Sequence, residues 1–256
     1  MRSKLFLGNQ VGSSYTPDAY DLVILADTPA CYWPFSEATG NPQDISGNAN
    51  HVVTVNGTPV YQQPGLPGGG YSIELDEDAN AYFFVADSTT IPDTGALSYE
   101  AWIRRGFLAG WETIFKKGTG GTSPHLYIDN DNLIKWRPAY AGGSVSSVTV
   151  SAVDGGSTDF HHVVGTRDAS NNWLVYLNAV DVTTVVAAST VASNTDQLVI
   201  GAVNDGSGEM EGRLAKPAMY AYQLTPTQIA QHFVAGRPLR YPGRVVSQAV
   251  QRAGSW

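Results

Sequence analysis

The sequence predicts an all-β fold, a sandwich or a barrel, with one short helix near the N-terminus and another after the last strand. Three observations carry that expectation. From Ala30 to about residue 221 apolar and polar residues alternate with the period of a strand. Turn-forming clusters interrupt the alternation, among them Pro67-Gly68-Gly69-Gly70, Gly118-Thr119-Gly120-Gly121 and Asn204-Asp205-Gly206-Ser207-Gly208. The chain also holds 27 Gly, 14 Pro and 13 Tyr beside many Val and Thr, a mixture that suits short strands and tight turns.

In chain order, Thr16-Pro17-Asp18 reads as a helix start, with Thr able to cap, Pro fitting the first turn and Asp favouring the positive end. That helix is short, puts Tyr20, Val23 and Ile24 on one side, and ends before Thr28-Pro29. Strands are expected at 30–35, 51–55, 71–75, 81–86, 97–103, 111–116, 124–128, 132–137, 145–151, 159–167, 173–179, 181–187, 197–202 and 210–221. A helix then closes the body. Thr225 and Gln228 form a capping box, Leu224 can staple onto Ile229, and Gly236 followed by Pro238 ends it. Ile229 and Phe233, four apart, give this helix one apolar contact line. A second small helix over 244–252 would place Val246 and Val250 on one face, too little surface to fold without a partner.

The expected organisation is an N-terminal arm (1–20), one β domain (21–236) and a basic tail (237–256). The tail carries Arg237, Arg240, Arg244 and Arg252 with no acid, although the whole chain has a formal charge of −8. The arginines are therefore candidate anchoring residues toward an acidic neighbour. The acidic balance argues against nucleic acid as a partner, since duplex recognition wants a basic face. No run approaches the ~20 apolar residues needed to span a bilayer, so no membrane role is expected. Leu5-Phe6-Leu7 is too short for the apolar region of a secretion signal. A single cysteine, Cys31, excludes an intramolecular disulfide and a cysteine-rich zinc site; in the run Ala30-Cys31-Tyr32-Trp33 it reads as a buried thiol.

An ordered series of short motifs resembles the laminin-G-like (concanavalin A-like) jelly-roll superfamily. It begins with Leu25-Ala26-Asp27-Thr28-Pro29-Ala30-Cys31-Tyr32-Trp33-Pro34-Phe35, Asp44-Ile45-Ser46-Gly47-Asn48 and Gly69-Gly70-Tyr71-Ser72-Ile73. Leu97-Ser98-Tyr99-Glu100-Ala101-Trp102-Ile103, Phe160-His161-His162-Val163-Val164-Gly165-Thr166 and Leu174-Val175-Tyr176-Leu177-Asn178 follow. Leu198-Val199-Ile200-Gly201, the segment 211–220 and the helix start at Leu224 complete it. The resemblance implies a two-sheet antiparallel jelly-roll sandwich and leaves the ligand open, because one fold hosts many functions. Trp33 and Trp102 are expected to fill the space between the sheets, roughly 10 Å apart. Separately, Lys4-Leu5-Phe6-Leu7-Gly8-Asn9-Gln10-Val11 resembles leader segments of bacteriophage minor tail proteins.

Candidate sites each have a plain structural alternative. Asp44 and Asn48 are candidate ligands of a structural calcium ion, with a metal-free Asx-turn as the alternative. Relatives implied by the resemblance often add an Asp from the last long strand, where this sequence has Ala215 and Lys216. Glu74, Asp76 and Asp78 alternate, as catalytic carboxylates do in glycosidases of related architecture, but the segment runs into a turn at Asp78-Ala79-Asn80. Adjacent His161 and His162 point to opposite faces and cannot share a metal; one is expected in the core and one in solvent. For a sugar ligand the candidate stacking residues are Trp111, Trp136, Tyr140 and Trp173, with Trp173 expected to be the most exposed. The alternative is that these rings cover the outer sheet or meet a neighbouring subunit.

The expected function is that of a non-enzymatic virion protein, a phage minor tail protein whose lectin-like domain touches host cell-wall glycan. Its other partners are expected to be virion proteins held through the arm and tail, in a homo-oligomer or multi-copy assembly, with no required cofactor. A structural capsid or tail decoration protein is the alternative, and a jelly-roll glycosidase resting on Glu74 and Asp76 is the third.

Overall fold

The computed structural model describes residues 15–106, 110–119, 123–138, 146–149, 159–184 and 190–237, with backbone alone described at 146–149. Fifteen strands in this part of the chain form two antiparallel sheets. The larger is built, edge to edge, from β13 (Val180–Asp181), β12 (Trp173–Leu177), β11 (His161–Arg167), β6 (Leu97–Arg105), β15 (Gly212–Tyr220), β4 (Gly69–Leu75) and β3 (Val60–Leu66). The short β1 (Cys31–Tyr32) also pairs with β15. The second sheet runs β10 (Ser146–Thr149), β9 (Leu133–Pro138), β8 (Pro124–Ile128), β7 (Glu112–Lys117), β14 (Leu198–Ile200), β5 (Tyr82–Val85) and β2 (Val52–Asn56). Together they form a jelly-roll-like sandwich, as the sequence predicts.

β3 is absent from the predicted strands because Gln62, Pro64 and Gly65 read as turn residues. It is an edge strand, and Gln62 lies in the left-handed region at φ 51° beside a register shift against β4. Edges and bulges are where a strand tolerates proline. The first helix, α1 (Ala19–Ala26), begins later than Thr16 suggests. Asp18 is its cap, accepting from the Asp21 amide at 2.9 Å, while the Asp21 carboxylate accepts from the Asp18 amide at 2.7 Å. The Tyr15 hydroxyl also donates to Asp21. Tyr15 and Asp18, assigned to the arm from sequence, thus belong to the folded body. The closing helix, α2 (Pro226–Gly236), has the expected Thr225–Gln228 capping box.

Strand periodicity divides the buried side chains into two layers. Along β6, Leu97, Tyr99, Ala101 and Ile103 face the other sheet, where they join Trp33, Phe35, Phe115, Trp136 and Trp173. On the alternate phase, Trp102 packs with Tyr20, Ile24, Tyr220, Leu224 and Ile229 in a second layer. Trp33 therefore lies between the sheets as expected, but Trp102 does not. Its ring lies over the outer face, donating from Nε1 to the Tyr20 hydroxyl at 2.8 Å and stacking on Phe233 of α2. A Cβ on Gly236 would fall 2.3 Å from that ring, so the last turn of α2 needs glycine there.

Candidate functional site

The larger sheet has its outer face closed by α1 and α2 around a buried polar chain. Glu100 accepts from Tyr220 at 2.8 Å and contacts His162 at 3.2 Å and His232 at 2.9 Å; the other ring nitrogen of His232 lies 2.9 Å from Asp27. His161 and His162 are both buried, so the expectation that one faces solvent is overturned. His162 is covered by Trp102 and Phe233, and His161 contacts the Asn178 amide at 3.1 Å. Neighbouring buried Lys216 is held by Asp18 at 2.9 Å and Asp21 at 2.7 Å. These groups tie helices to sheet. Asp27, at the end of the polar chain, also lines the groove between the two helices.

Asp44 is buried and its carboxylate is saturated. Its Oδ1 accepts from the amides of Tyr32 (2.9 Å) and Ser46 (2.8 Å), its Oδ2 from the Asn50 amide (2.8 Å) and the Ser46 hydroxyl (2.9 Å). Asn48 donates from Nδ2 to the Ala30 carbonyl at 2.9 Å. Four donors aimed at one carboxylate make an Asx-type loop clasp, and the donor set does not fit calcium. Among the described residues no group of three or more His, Cys, Asp or Glu is placed to hold a metal ion. Cys31 is buried beneath this loop, where burial pushes its thiol well above the ordinary range.

The three carboxylates of the glycosidase alternative do not share a strand face. β4 ends at Leu75, Glu74 pairs with Arg213 at 2.9 Å, and Asp76 turns back to accept from the Asp78 amide at 2.9 Å.

Two of the stacking candidates are corrected. Trp136 and Trp173 are fully buried, with ring centres 4.9 Å apart, in the space between the sheets. The cause is strand phase: Ile134 and Trp136 point inward on β9 while Lys135 and Arg137 point outward, and Trp173, Val175 and Leu177 form the inward set on β12. Turn residues before Trp173 do not expose it. Trp111 is partly exposed, and Tyr140 lies outside the described residues. Arg237 caps α2, lies 3.9 Å from Asp159 and sits over the Phe233 ring. Arg240, Arg244 and Arg252, like the leader at 4–11, lie outside the described residues.

Trp111 belongs to a cluster that sequence reasoning missed, on the outer face of the second sheet. On β8, Leu126 and Ile128 face inward, so His125 and Tyr127 face outward. Strand register aligns Phe84, Val199, Lys116, His125 and Arg137 as directly opposed neighbours across five strands, a row of roughly 20 Å. Beside it Trp111 stands edge-on to Tyr127 (5.1 Å) and His125 (6.0 Å), His125 stacks on Tyr127 (4.3 Å), and the Arg137 guanidinium lies 5.1 Å above the Tyr127 ring. Thr113 contacts His125 Nε2 at 3.1 Å. Trp111 and Arg137 are half-buried, and Lys116, His125 and Tyr127 lie beneath them.

This arrangement is costly. His125 Nδ1 and Arg137 Nε are buried without a hydrogen-bond partner among the described residues, a condition worth about 1–3 kcal/mol for each such group. Burial, with Lys116 and Arg137 adding to it, holds the His125 imidazole well below its ordinary pKa and so neutral. Burial likewise lowers Lys116, against an opposing pull from Asp205. Aromatic surface beside polar groups with unmet hydrogen-bonding capacity is the chemistry of a ligand-binding face. The inward–outward phase of β8 and β9 is readable in Pro124–Ile128 and Leu133–Pro138. The alignment of the row depends on register, which a bulge between Thr113 and Phe115 shifts.

A family model described as the concanavalin A-like lectin/glucanases superfamily matches residues 75–230, more than half of the chain. Among solved structures, the binding domain of botulinum neurotoxin DC in complex with rat synaptotagmin II is similar at 14% identity and a TM-score of 0.63, over 84% of this chain and 53% of that one. The same binding domain in complex with SialylT gives 13% and 0.62, over 84% and 53%. The binding domain of Paraclostridial Mosquitocidal Protein 1 gives 16% and 0.60, over 86% and 57%. The chain thus spans little more than half the length of these structures, and at such identities the likeness is one of fold. No curated protein matches.

Proposed function

The chain belongs to the concanavalin A-like lectin/glucanases superfamily, and we propose that it is a lectin-like binding module that attaches a bacteriophage particle to host-surface glycan. The observation that carries the binding reading is Trp111, a half-buried ring propped edge-on against Tyr127 and His125 on a sheet face that carries no described helix. A ring held in that way offers a preorganised surface for the apolar side of a sugar. Similarity to binding domains that are complexed with SialylT and with synaptotagmin II is consistent with it. We read the module as non-enzymatic, which is supported by the pairing of Glu74 with Arg213 and by the turn that holds Asp76 and Asp78 beyond the end of β4. We read the phage setting from the leader-like segment at 4–11, and read the module as a tail component present in several copies.

A glycan array tests the binding role: the wild-type chain should mark a subset of spots, and Trp111→Ala should lose them while its melting temperature holds. Immunogold labelling of particles with an antibody to the body should mark the tail tip. Label spread over the head would favour decoration, and unlabelled particles would remove the virion role. A specific observation favours decoration as the second reading. An apolar groove between α1 and α2, lined by Leu22, Val23, Ala26 and Val234, exposes about half of Leu22 and of Val234. Silence on every array spot would leave that reading standing.

A further inference from the structure

We infer that the ligand of the outer face is an acidic saccharide, a sugar bearing a carboxylate or phosphate oxyanion, held between the Trp111 ring and the Lys116–His125–Arg137 row. The inference rests on the binding reading above and names its substrate class.

The chain holds 15 Lys and Arg against 23 Asp and Glu, so cations are scarce. Three basic side chains nevertheless occupy successive positions of one cross-strand row. Solvation does not account for them, because Lys116 and His125 are almost wholly buried. Carboxylates reach only part of the group: Asp205 acts on Lys116, and Asp129 takes the neighbouring Lys135 at 2.8 Å. Arg137 and His125 have no carboxylate partner among the described residues. A guanidinium is a planar fork of donors that fits a carboxylate or phosphate through two parallel hydrogen bonds. Arg137 is half-buried, and its guanidinium lies over Tyr127, the ring that Trp111 also meets edge-on. The buried Nδ1 of His125 and Nε of Arg137 are polar atoms without partners, one on each of two adjacent strands. A neutral sugar would meet the ring of Trp111 and offer no oxyanion to Arg137. An oxyanion on that sugar meets it, and the acidic remainder of the chain keeps such ligands from binding elsewhere.

The test is direct titration of the full chain with three probes: oligogalacturonate, a glycerol-phosphate polymer and neutral dextran, each at low and high ionic strength. Binding of either anionic probe and not of dextran is expected, weakening with salt as a charge-led contact should. Which anionic probe binds decides between carboxylate and phosphate. Arg137→Gln should lower the affinity roughly tenfold or more, and Arg137→Lys should restore only part of it, since lysine keeps the charge without the fork. If Arg137→Gln does not fold, the lysine variant and the salt dependence still decide. Binding of dextran as tight as that of the anionic probes, or an array marked only at neutral glycans, overturns the acidic ligand and leaves the binding role intact. Silence of all three probes and of the array overturns both.

Discussion

Both ring nitrogens of His232 face carboxylates, Nδ1 at 2.9 Å from Glu100 and Nε2 at 2.9 Å from Asp27. An imidazole can donate from both positions only as the imidazolium. Burial opposes that charge, but Glu100 and then Asp27 outweigh it and push the His232 pKa up to about 9. Burial would raise Glu100, yet His232 and His162 hold it well below the carboxylate range, while burial keeps His162 neutral by lowering it against the pull of Glu100. The unfolded histidine titrates near 6.5. The raised value of His232 therefore contributes stability that is complete below pH ~6.5 and is lost as pH rises through about 9. That contribution is up to roughly 3 kcal/mol. His162, lowered in the fold, contributes above ~6.5 and loses it toward acid. Urea midpoints of the wild type should fall between pH 7 and 9, and His232→Gln should flatten that limb. An unchanged alkaline limb in the variant would mean that His232 is not the titrating group. Glu100→Gln, which removes the charge both histidines lean on, should cost about 3–5 kcal/mol in the same measurement near neutral pH.

At the scale of elements, β11 approaches the aromatic core through Gly165. A Cβ there would lie 2.5 Å from the Trp136 ring, which Tyr99 and Trp173 hold from behind. Gly165→Ala should cost about 1–3 kcal/mol by overpacking. Trp136→Phe in the same chain should recover part of the loss, so a thermal-denaturation cycle should show the two changes to be non-additive. Features that depend on a few consecutive residues were legible in the sequence. The Thr225–Gln228 box starts α2 as read, and the alternating runs at 97–103, 124–128 and 132–137 become strands. Features that depend on which phase of a strand faces the partner sheet were not. β6 has large or apolar residues on both phases, Tyr99 and Ile103 on one and Trp102 on the other, so alternation alone does not say which is inner. The same ambiguity hid the burial of Trp136 and Trp173. The binding candidate was least legible, because Lys116, His125 and Arg137 become neighbours only through register, and only Trp111 announced it in the sequence.

The whole molecule has two unlike outer faces. On the larger sheet α1 and α2 cover Trp102 and the Glu100 chain, and that face is spent on stability. On the second sheet no described helix covers the row from Phe84 to Arg137. A ligand bound on the second face would suppress local openings of the strands beneath it, and amide exchange reports such openings strand by strand. With a saturating glycan from the array, protection should rise in β7, β8 and β9 and stay unchanged in α1 and α2. A partner protein seated in the groove between the helices would reverse the pattern, slowing exchange in Leu22–Ala26 and Ala230–Ala235 while β8 stayed as it was. Because the two faces belong to different sheets with the aromatic core between them, exchange can separate a glycan module from a decoration subunit without a bound structure.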